Sequence, residues 1–287
     1  MGVKLLLYAK ADGMITKDDI QAARTRIRPH VHETALVTST RLGNVAGVLL
    51  QLKCESMQRT GSFKARGALN AMMQLSAAEK ARGVVTVSAG NHAQSLAWAA
   101  SLVGADSIAC MPETAARSKV EATRGYGGTV GLELLEQAPD LDAIVVPIGG
   151  GGLIAGVAAA AKAVKPGVQV IGVEPVGAAS MKAAMDAGAP RTISPQTVAD
   201  GLAAPMVGEM NLDAMKRYTD GLVLVTDDEI LSAMRDLLAY AKLVVEPAAA
   251  AGVAALLSGK LTFKRGARVA AIISGGNIDL ARLKELL

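Results

Sequence analysis

The sequence predicts an α/β protein built on open, mostly parallel, twisted sheets with flanking helices, and three observations carry the prediction. Seven short apolar runs recur along the chain, most of them separated by helix-length stretches. The runs are almost continuously apolar, as strands covered on both faces are, rather than alternating. Glycines, hydroxyls and amides cluster at the junctions where a run gives way to a helix, which is where open α/β sheets bind ligands.

In chain order, GVLLQLKCE (47–55) is the first strand and leads to a helix over 63–75. GVVTVSA (83–89) precedes a helix over 91–103, and DSIACMP (106–112) follows it. DAIVVPIG (142–149) runs into four consecutive glycines and a helix over 153–164, after which comes VQVIGVEP (168–175). GLVLVTD (221–227) ends in Thr226, with Glu229 three residues on. That capping-box spacing opens a helix over 227–241. A helix over 248–257 and the strand ARVAAIISGG (267–276) complete the pattern. No Pro-, Gly- or Ser-rich linker divides the chain, so a second lobe must be inserted within the first.

Composition narrows the function classes. With 51% apolar and 20% charged among 287 residues, the chain can bury a large core. Lys and Arg number 30 against 26 Asp and Glu, a net +4 without any run of like charge. Only seven residues are aromatic, so neither an electrostatic stripe nor stacking rings point to nucleic acid. Cys54 and Cys110 lie in apolar stretches without a CxxC partner, as reduced thiols of a cytoplasmic protein do. The apolar stretch Leu5–Tyr8 is too short for a signal peptide. Ala143–Ala161 carries no charge over 19 residues, but Pro147 and the four glycines make it a strand, a turn and a helix rather than a membrane span.

Four junctions could carry chemistry. In Thr60-Gly61-Ser62-Phe63-Lys64, Lys64 is either a solvated charge or, if desolvated, a nucleophilic amine able to form a Schiff base. In Ser88-Ala89-Gly90-Asn91-His92, Ser88 or Asn91 serves either as a helix cap or as part of a turn that receives a carboxylate. Gly149-Gly150-Gly151-Gly152-Leu153 strips all side chains from a turn at a helix start, so that backbone amides can approach a phosphate. The same loop satisfies a loose dinucleotide fingerprint, Gly150-x-Gly152-x-x-Ala155, with Glu174 placed as a ribose-binding acid. A nicotinamide-dependent dehydrogenase is therefore a competing reading. In Ile273-Ser274-Gly275-Gly276-Asn277, the hydroxyl caps a last helix or meets a ligand. His30, His32 and His92 lack metal-ligand spacing, and Met72, Met73, Met181 and Met185 read as core filling.

Taken together and in this order, CESMQRTGSFKARGA, VSAGNHAQSLAWAA, MPETAARSKVEATRGYG, PIGGGGLIAG, VADGLA, VVEPAAAAG and SGGN resemble the fold-type II pyridoxal-phosphate enzymes, most closely the threonine/serine dehydratase and serine racemase family. The resemblance implies that Lys64 holds pyridoxal 5'-phosphate covalently, with Phe63 on one face of its ring and Asn91 at its phenolic oxygen. Gly149, Gly150, Gly151, Gly152 and Leu153 would cradle the phosphate and Ser274 would meet the ring nitrogen, with Gly201 and Glu246 lining the pocket. Ser88, Ala89, Gly90, Asn91 and His92 would receive the substrate carboxylate. A neutral hydroxyl at the ring nitrogen favours β-elimination. The implied activity is dehydration of L-threonine or L-serine to a 2-oxo acid and ammonia, by a homodimer or homotetramer. A serine racemase, a hydroxyaspartate dehydratase and a non-catalytic cofactor-binding protein are the alternatives.

Racemases of this family carry a second acid-base hydroxyl where this chain has Ala89, so racemization should be weak. Their divalent cation site corresponds here to Glu174, Ala178 and Ser180. An Asp ligand is missing, so no essential metal is expected. Ten residues follow Asn277, and no C-terminal regulatory domain is expected.

The family pattern places lobes at 1–83 and 128–287 (large) and 84–127 (small), but the second half of the small lobe is missing between Gly127 and Gly128. A strand-helix-strand unit needs about 30 residues. Either the unit is deleted, which leaves an exposed sheet edge, or the sequence joins two stretches across an omitted segment. The second is expected because GTVGLE resumes in family register; an intact mass of 29.3 kDa would overturn it.

Overall fold

The structure is a computed structural model and describes residues 15–88, 90–110 and 128–287. It begins with α1 (Lys17–Ile27), β1 (Leu36–Thr38), α2 (Thr40–Ala46), β2 (Leu49–Cys54), α3 (Lys64–Met73) and α4 (Ala77–Arg82). Next come β3 (Val84–Val87), α5 (Asn91–Val103), β4 (Ser107–Cys110), α6 (Gly128–Gln137), β5 (Ala143–Pro147), α7 (Gly152–Val164), β6 (Gln169–Pro175) and α8 (Ser180–Ala187). The chain ends with α9 (Glu209–Tyr218), β7 (Gly221–Val225), α10 (Asp227–Asp236), α11 (Pro247–Leu257), β8 (Arg268–Ile273) and α12 (Leu280–Leu286).

All seven expected strands form. Six strands make one sheet in the order β1-β2-β8-β5-β6-β7, parallel except for β1, and β3 pairs with β4 in a separate parallel sheet. β1 gave no sequence signal, because three residues on an antiparallel edge are too few to show a period. The helix expected over 227–241 splits: α10 begins at the Thr226–Glu229 capping box, and a π turn over Leu237–Ala241 ends at Lys242 with φ 59°.

Burial follows the strand period of two. Val145, Ala271 and Ile273 face α10 and α11, whereas Ile144, Val146, Ala270 and Ile272 face α6, α7 and α9. α11 is buried from Pro247 to Leu256; its Ala-rich sequence lets it lie close against β5, β6, β7 and β8. Beneath the sheet's Lys64 side lies a closed ion network. Lys53 Nζ donates to Glu133 Oε1 (2.6 Å) and Gln137 Oε1 (2.7 Å), and Arg66 pairs with both Glu55 (2.8 Å) and Glu133 (3.0 Å). Lys53 and Glu55 are fully buried, and opposite charges and hydrogen bonds offset the desolvation of each.

The full chain is 287 residues with Gly127 bonded to Gly128, which corrects the expectation of an omitted segment. Register resumes there for a local reason. α6 is buried from Gly128 to Leu135 and carries Glu133 into the ion network, so its place against the large sheet is set without the intervening unit. The two-stranded sheet is left with Val85 57% and Ile108 60% exposed.

Candidate active site

β2, β8 and β5 are adjacent and parallel, so their carboxyl ends open along one edge of the sheet. Three of the four junctions leave from that edge. After β2 the chain turns through Thr60 (φ 62°) and Gly61 (φ 71°). Ser62 forms an antiparallel bridge with Gly275, and Phe63 N donates to the Ser274 carbonyl (3.1 Å). Gly276 N donates to the Gly61 carbonyl (2.9 Å). These backbone bonds lock the turn against the end of β8, and Lys64 then opens α3. Phe63 packs against the core shared by α6 and α7.

After β5, Gly149, Gly150 and Gly151 form the turn and Gly152 and Leu153 begin α7. Gly151 has φ 88°, and a Cβ there would lie 2.8 Å from Met181 Cε and 2.9 Å from Asn211 Cβ, so only glycine fits. Asn211 Nδ2 pins the turn by donating to the Gly150 carbonyl (2.7 Å). No side chain caps α7, whose first-turn amides can therefore receive an outside anion.

Ser274, 4% exposed, ends β8. Glu246 is the N-cap residue of α11, where the helix dipole favours its carboxylate. Both its oxygens accept from Asn91 Nδ2 at 2.9 Å. A Cβ on Gly275 would meet Glu246 Oε1 (2.5 Å) and Asn91 Nδ2 (3.2 Å); one on Gly201 would meet Glu246 Oε1 (3.3 Å), and one on Gly149 the Gly201 carbonyl (3.2 Å). The Lys64 turn, Ser274, Glu246, Asn91, Gly201 and the glycine turn thus form a continuous run of contacts.

The fourth junction comes from the small sheet. Asn91 opens α5 but does not cap it; its amide is spent on Glu246. Ser88 is buried and accepts from Gly90 N (3.3 Å), while Ala89 lies outside the described residues. The pKa of His92 is lowered to about 4, first by burial and then by the nearby Lys64 charge, and so the imidazole stays neutral at ordinary pH.

The sequence reading missed four participants, all polar: Thr60, Ser62, Gln94 and Asn277. The Ser62 hydroxyl is fully buried beside Lys64 without a protein partner, and Asn277 Nδ2 donates to Thr60, Asn91 and Gln94. Their only signal was membership of the TGSFK, GNHAQ and SGGN stretches.

Glu174 behaves otherwise than a ribose-binding acid. Its carboxylate is buried at the start of α8 and accepts from Met181 N (2.7 Å) and Lys182 N (2.9 Å); burial raises its pKa to about 7. Ala178 and Ser180 flank it in the same buried turn. Among the described residues no three His, Cys, Asp or Glu side chains are grouped to hold a metal.

A side-chain-free turn at a helix start, an amine, an amide donor and a buried hydroxyl on one strand edge fit pyridoxal 5'-phosphate. Comparison with known proteins agrees. The family model described as pyridoxal-phosphate dependent enzyme matches residues 27–130 and 127–275, two segments that meet at the Gly127–Gly128 junction. The chain is 40% identical to the L-threonine ammonia-lyase of Thermotoga maritima over 316 residues, covering 96% of this chain and 78% of that one. Among solved structures, maize serine racemase superposes with a TM-score of 0.90 at 34% identity, covering 95% and 97% of the two chains. A threonine deaminase from the organism abbreviated T.th. superposes with a TM-score of 0.85 at 37% identity, covering 93% and 99%.

Proposed function

This chain belongs to the pyridoxal-phosphate dependent enzyme family, and from that premise we propose that it is a lyase that dehydrates L-threonine and L-serine, releasing ammonia and 2-oxobutanoate or pyruvate. The observation that carries the reading is the single strand edge on which the Lys64 turn, the glycine turn and Ser274 meet. The threonine ammonia-lyase and threonine deaminase similarities support the substrate class.

Bound pyridoxal phosphate supplies an electron sink for the pair left when the substrate loses its Cα proton. This chain's residues do the rest. The amides of Gly149 to Leu153 hold the phosphate, Asn91 donates at the phenolic oxygen, Phe63 covers one ring face and Ser274 offers an uncharged hydroxyl to the ring nitrogen. Glu246 and Gly201 close the pocket wall. Lys64 carries the cofactor, is freed when substrate binds, and its amine then removes the Cα proton as general base. His92, neutral and close to Lys64, adds no competing cation at the Ser88–His92 turn that receives the substrate carboxylate.

Ala89 offers no hydroxyl for proton return on the opposite face, which supports weak racemization. Engagement of both Glu174 oxygens by backbone amides supports the absence of an essential divalent metal there. The separate β3–β4 sheet supports reading 84–127 as a small lobe inserted between 1–83 and 128–287. We further infer a cytoplasmic homodimer or homotetramer. The free, buried Cys54 supports the compartment, and the exposed apolar Val45, Leu49, Tyr240 and Val244 support a subunit interface. No helix among the described residues is long and apolar enough to cross a membrane.

Coupled assay of 2-oxo acid and ammonia from L-threonine, L-serine and threo-3-hydroxyaspartate tests the reading. Equimolar release from L-threonine or L-serine is expected; release from hydroxyaspartate alone would overturn the substrate assignment.

A further inference from the structure

We propose that Asn277 is a positioning residue that sets the orientation of the Asn91 amide and holds the turn presenting Lys64. The inference rests on the reading of Lys64 and Asn91 as cofactor ligands given above.

Asn277 Nδ2 donates to the Thr60 carbonyl (2.7 Å) and to Asn91 Oδ1 (2.8 Å), with Gln94 Oε1 at 3.4 Å. Asn91 Nδ2 donates in turn to both oxygens of Glu246 at 2.9 Å. The two ends of this chain admit one polarity. A peptide carbonyl and an ionised carboxylate only accept, so the Asn277 amino group must face Thr60 and Asn91, and the Asn91 amino group must face Glu246. Without Asn277, one end loses its constraint and Asn91 is free to rotate its amide.

The Thr60 contact has a second consequence. Thr60 is β-branched yet sits at φ 62°, a conformation that persists only when surrounding contacts over-determine it. Two contacts do so: the Asn277 bond to its carbonyl and a Thr60 Oγ1···Ser95 Oγ bond of 2.9 Å. Gly61 makes the approach possible. A Cβ there would overlap Asn277 Oδ1 and lie 2.9 Å from its Cγ. Asn277 therefore joins the turn before Lys64 to the first turn of α5. It is solvent-exposed, so its removal forfeits little packing.

The test uses holoenzyme of wild type, Asn277→Asp, Asn277→Ala, Asn91→Ala and the Asn91→Ala/Asn277→Asp double variant. Asp keeps the size of Asn but turns both donors into acceptors. The measurements are the absorption band of bound pyridoxal phosphate, its dissociation constant, kcat and KM for L-threonine, and the thermal midpoint. For Asn277→Asp we expect a shifted band, cofactor affinity and kcat/KM each about tenfold lower, and a nearly unchanged midpoint. Asn277→Ala should move the same readouts by less. Adding Asn277→Asp to Asn91→Ala should cost little more, because the effect acts through Asn91. Variants that keep the wild-type band and affinity while only the midpoint falls would overturn the proposal, as would fully additive losses in the double variant. If Asn277→Asp does not fold, Asn277→Ala and Asn277→Ser supply the same readouts. A wild-type protein that binds no cofactor would sink the functional reading itself; one that binds and turns over beside unchanged variants would sink this inference alone.

Discussion

At the scale of single residues, Lys64 and His92 make separable predictions. Lys64→Ala should abolish 2-oxo acid release and leave a protein that no longer holds the cofactor covalently, measured by loss of the yellow band after gel filtration. His92 concerns stability. Its folded pKa is depressed to about 4 from an ordinary 6.5, so between those values the unfolded chain binds a proton that the folded chain refuses. The stability it confers is complete above about pH 6.5 and drains away as pH falls toward 4. His92→Asn should flatten the fall of the thermal midpoint across that window; an unchanged slope would contradict the assignment. Residues of this kind were unevenly legible. Lys64, Asn91 and Ser274 sit at strand ends, where an isolated charge, amide or hydroxyl invites a question, and their motifs identify them. Thr60 and Asn277 act through backbone conformation and through a contact 217 positions apart in sequence. No local pattern reports such a contact.

At the scale of elements, the account turns on two features. The turn from Gly149 to Gly152 is held open by sterics, and Gly151→Ala would place a Cβ against Met181 and Asn211 at φ 88°. The strain is about 1–3 kcal/mol, and cofactor affinity should fall by about tenfold or more while L-threonine turnover at saturating cofactor falls less. Equal affinity in the two proteins would show that the turn is not the phosphate cradle. The second feature is the ion network of Lys53, Glu55, Arg66 and Glu133. Glu133→Gln leaves Lys53 and Arg66 short of a buried counter-charge and should cost about 3–5 kcal/mol in urea unfolding. The seven strands were legible because continuous apolar runs of four to seven residues leave few alternatives in an α/β chain. β1 was not, being an edge of three residues. α6 was legible only as a resumption of register, and its cause, burial of the whole helix with Glu133 anchored beneath the sheet, belongs to tertiary structure.

At the scale of the whole molecule, the small sheet is the exception to an otherwise closed architecture. An alignment of 316 positions to 96% of a 287-residue chain leaves about 40 positions (316 less roughly 275) that this chain does not fill. The family matches meet at the same junction. What remains of the described small sheet is two strands with Val85 and Ile108 exposed, against a six-stranded sheet covered on both faces. Two-stranded sheets are marginal, so amides of β3 and β4 should exchange with deuterium well before those of β5 and β8. Uniform protection across the two sheets would contradict this.

The most direct test of the central claim is borohydride reduction of the purified protein in pyridoxal phosphate, followed by intact-mass and peptide mapping. A single phosphopyridoxyl group on Lys64, on a chain of 29.3 kDa before reduction, is the predicted result. A group on another lysine, or none, would contradict the account.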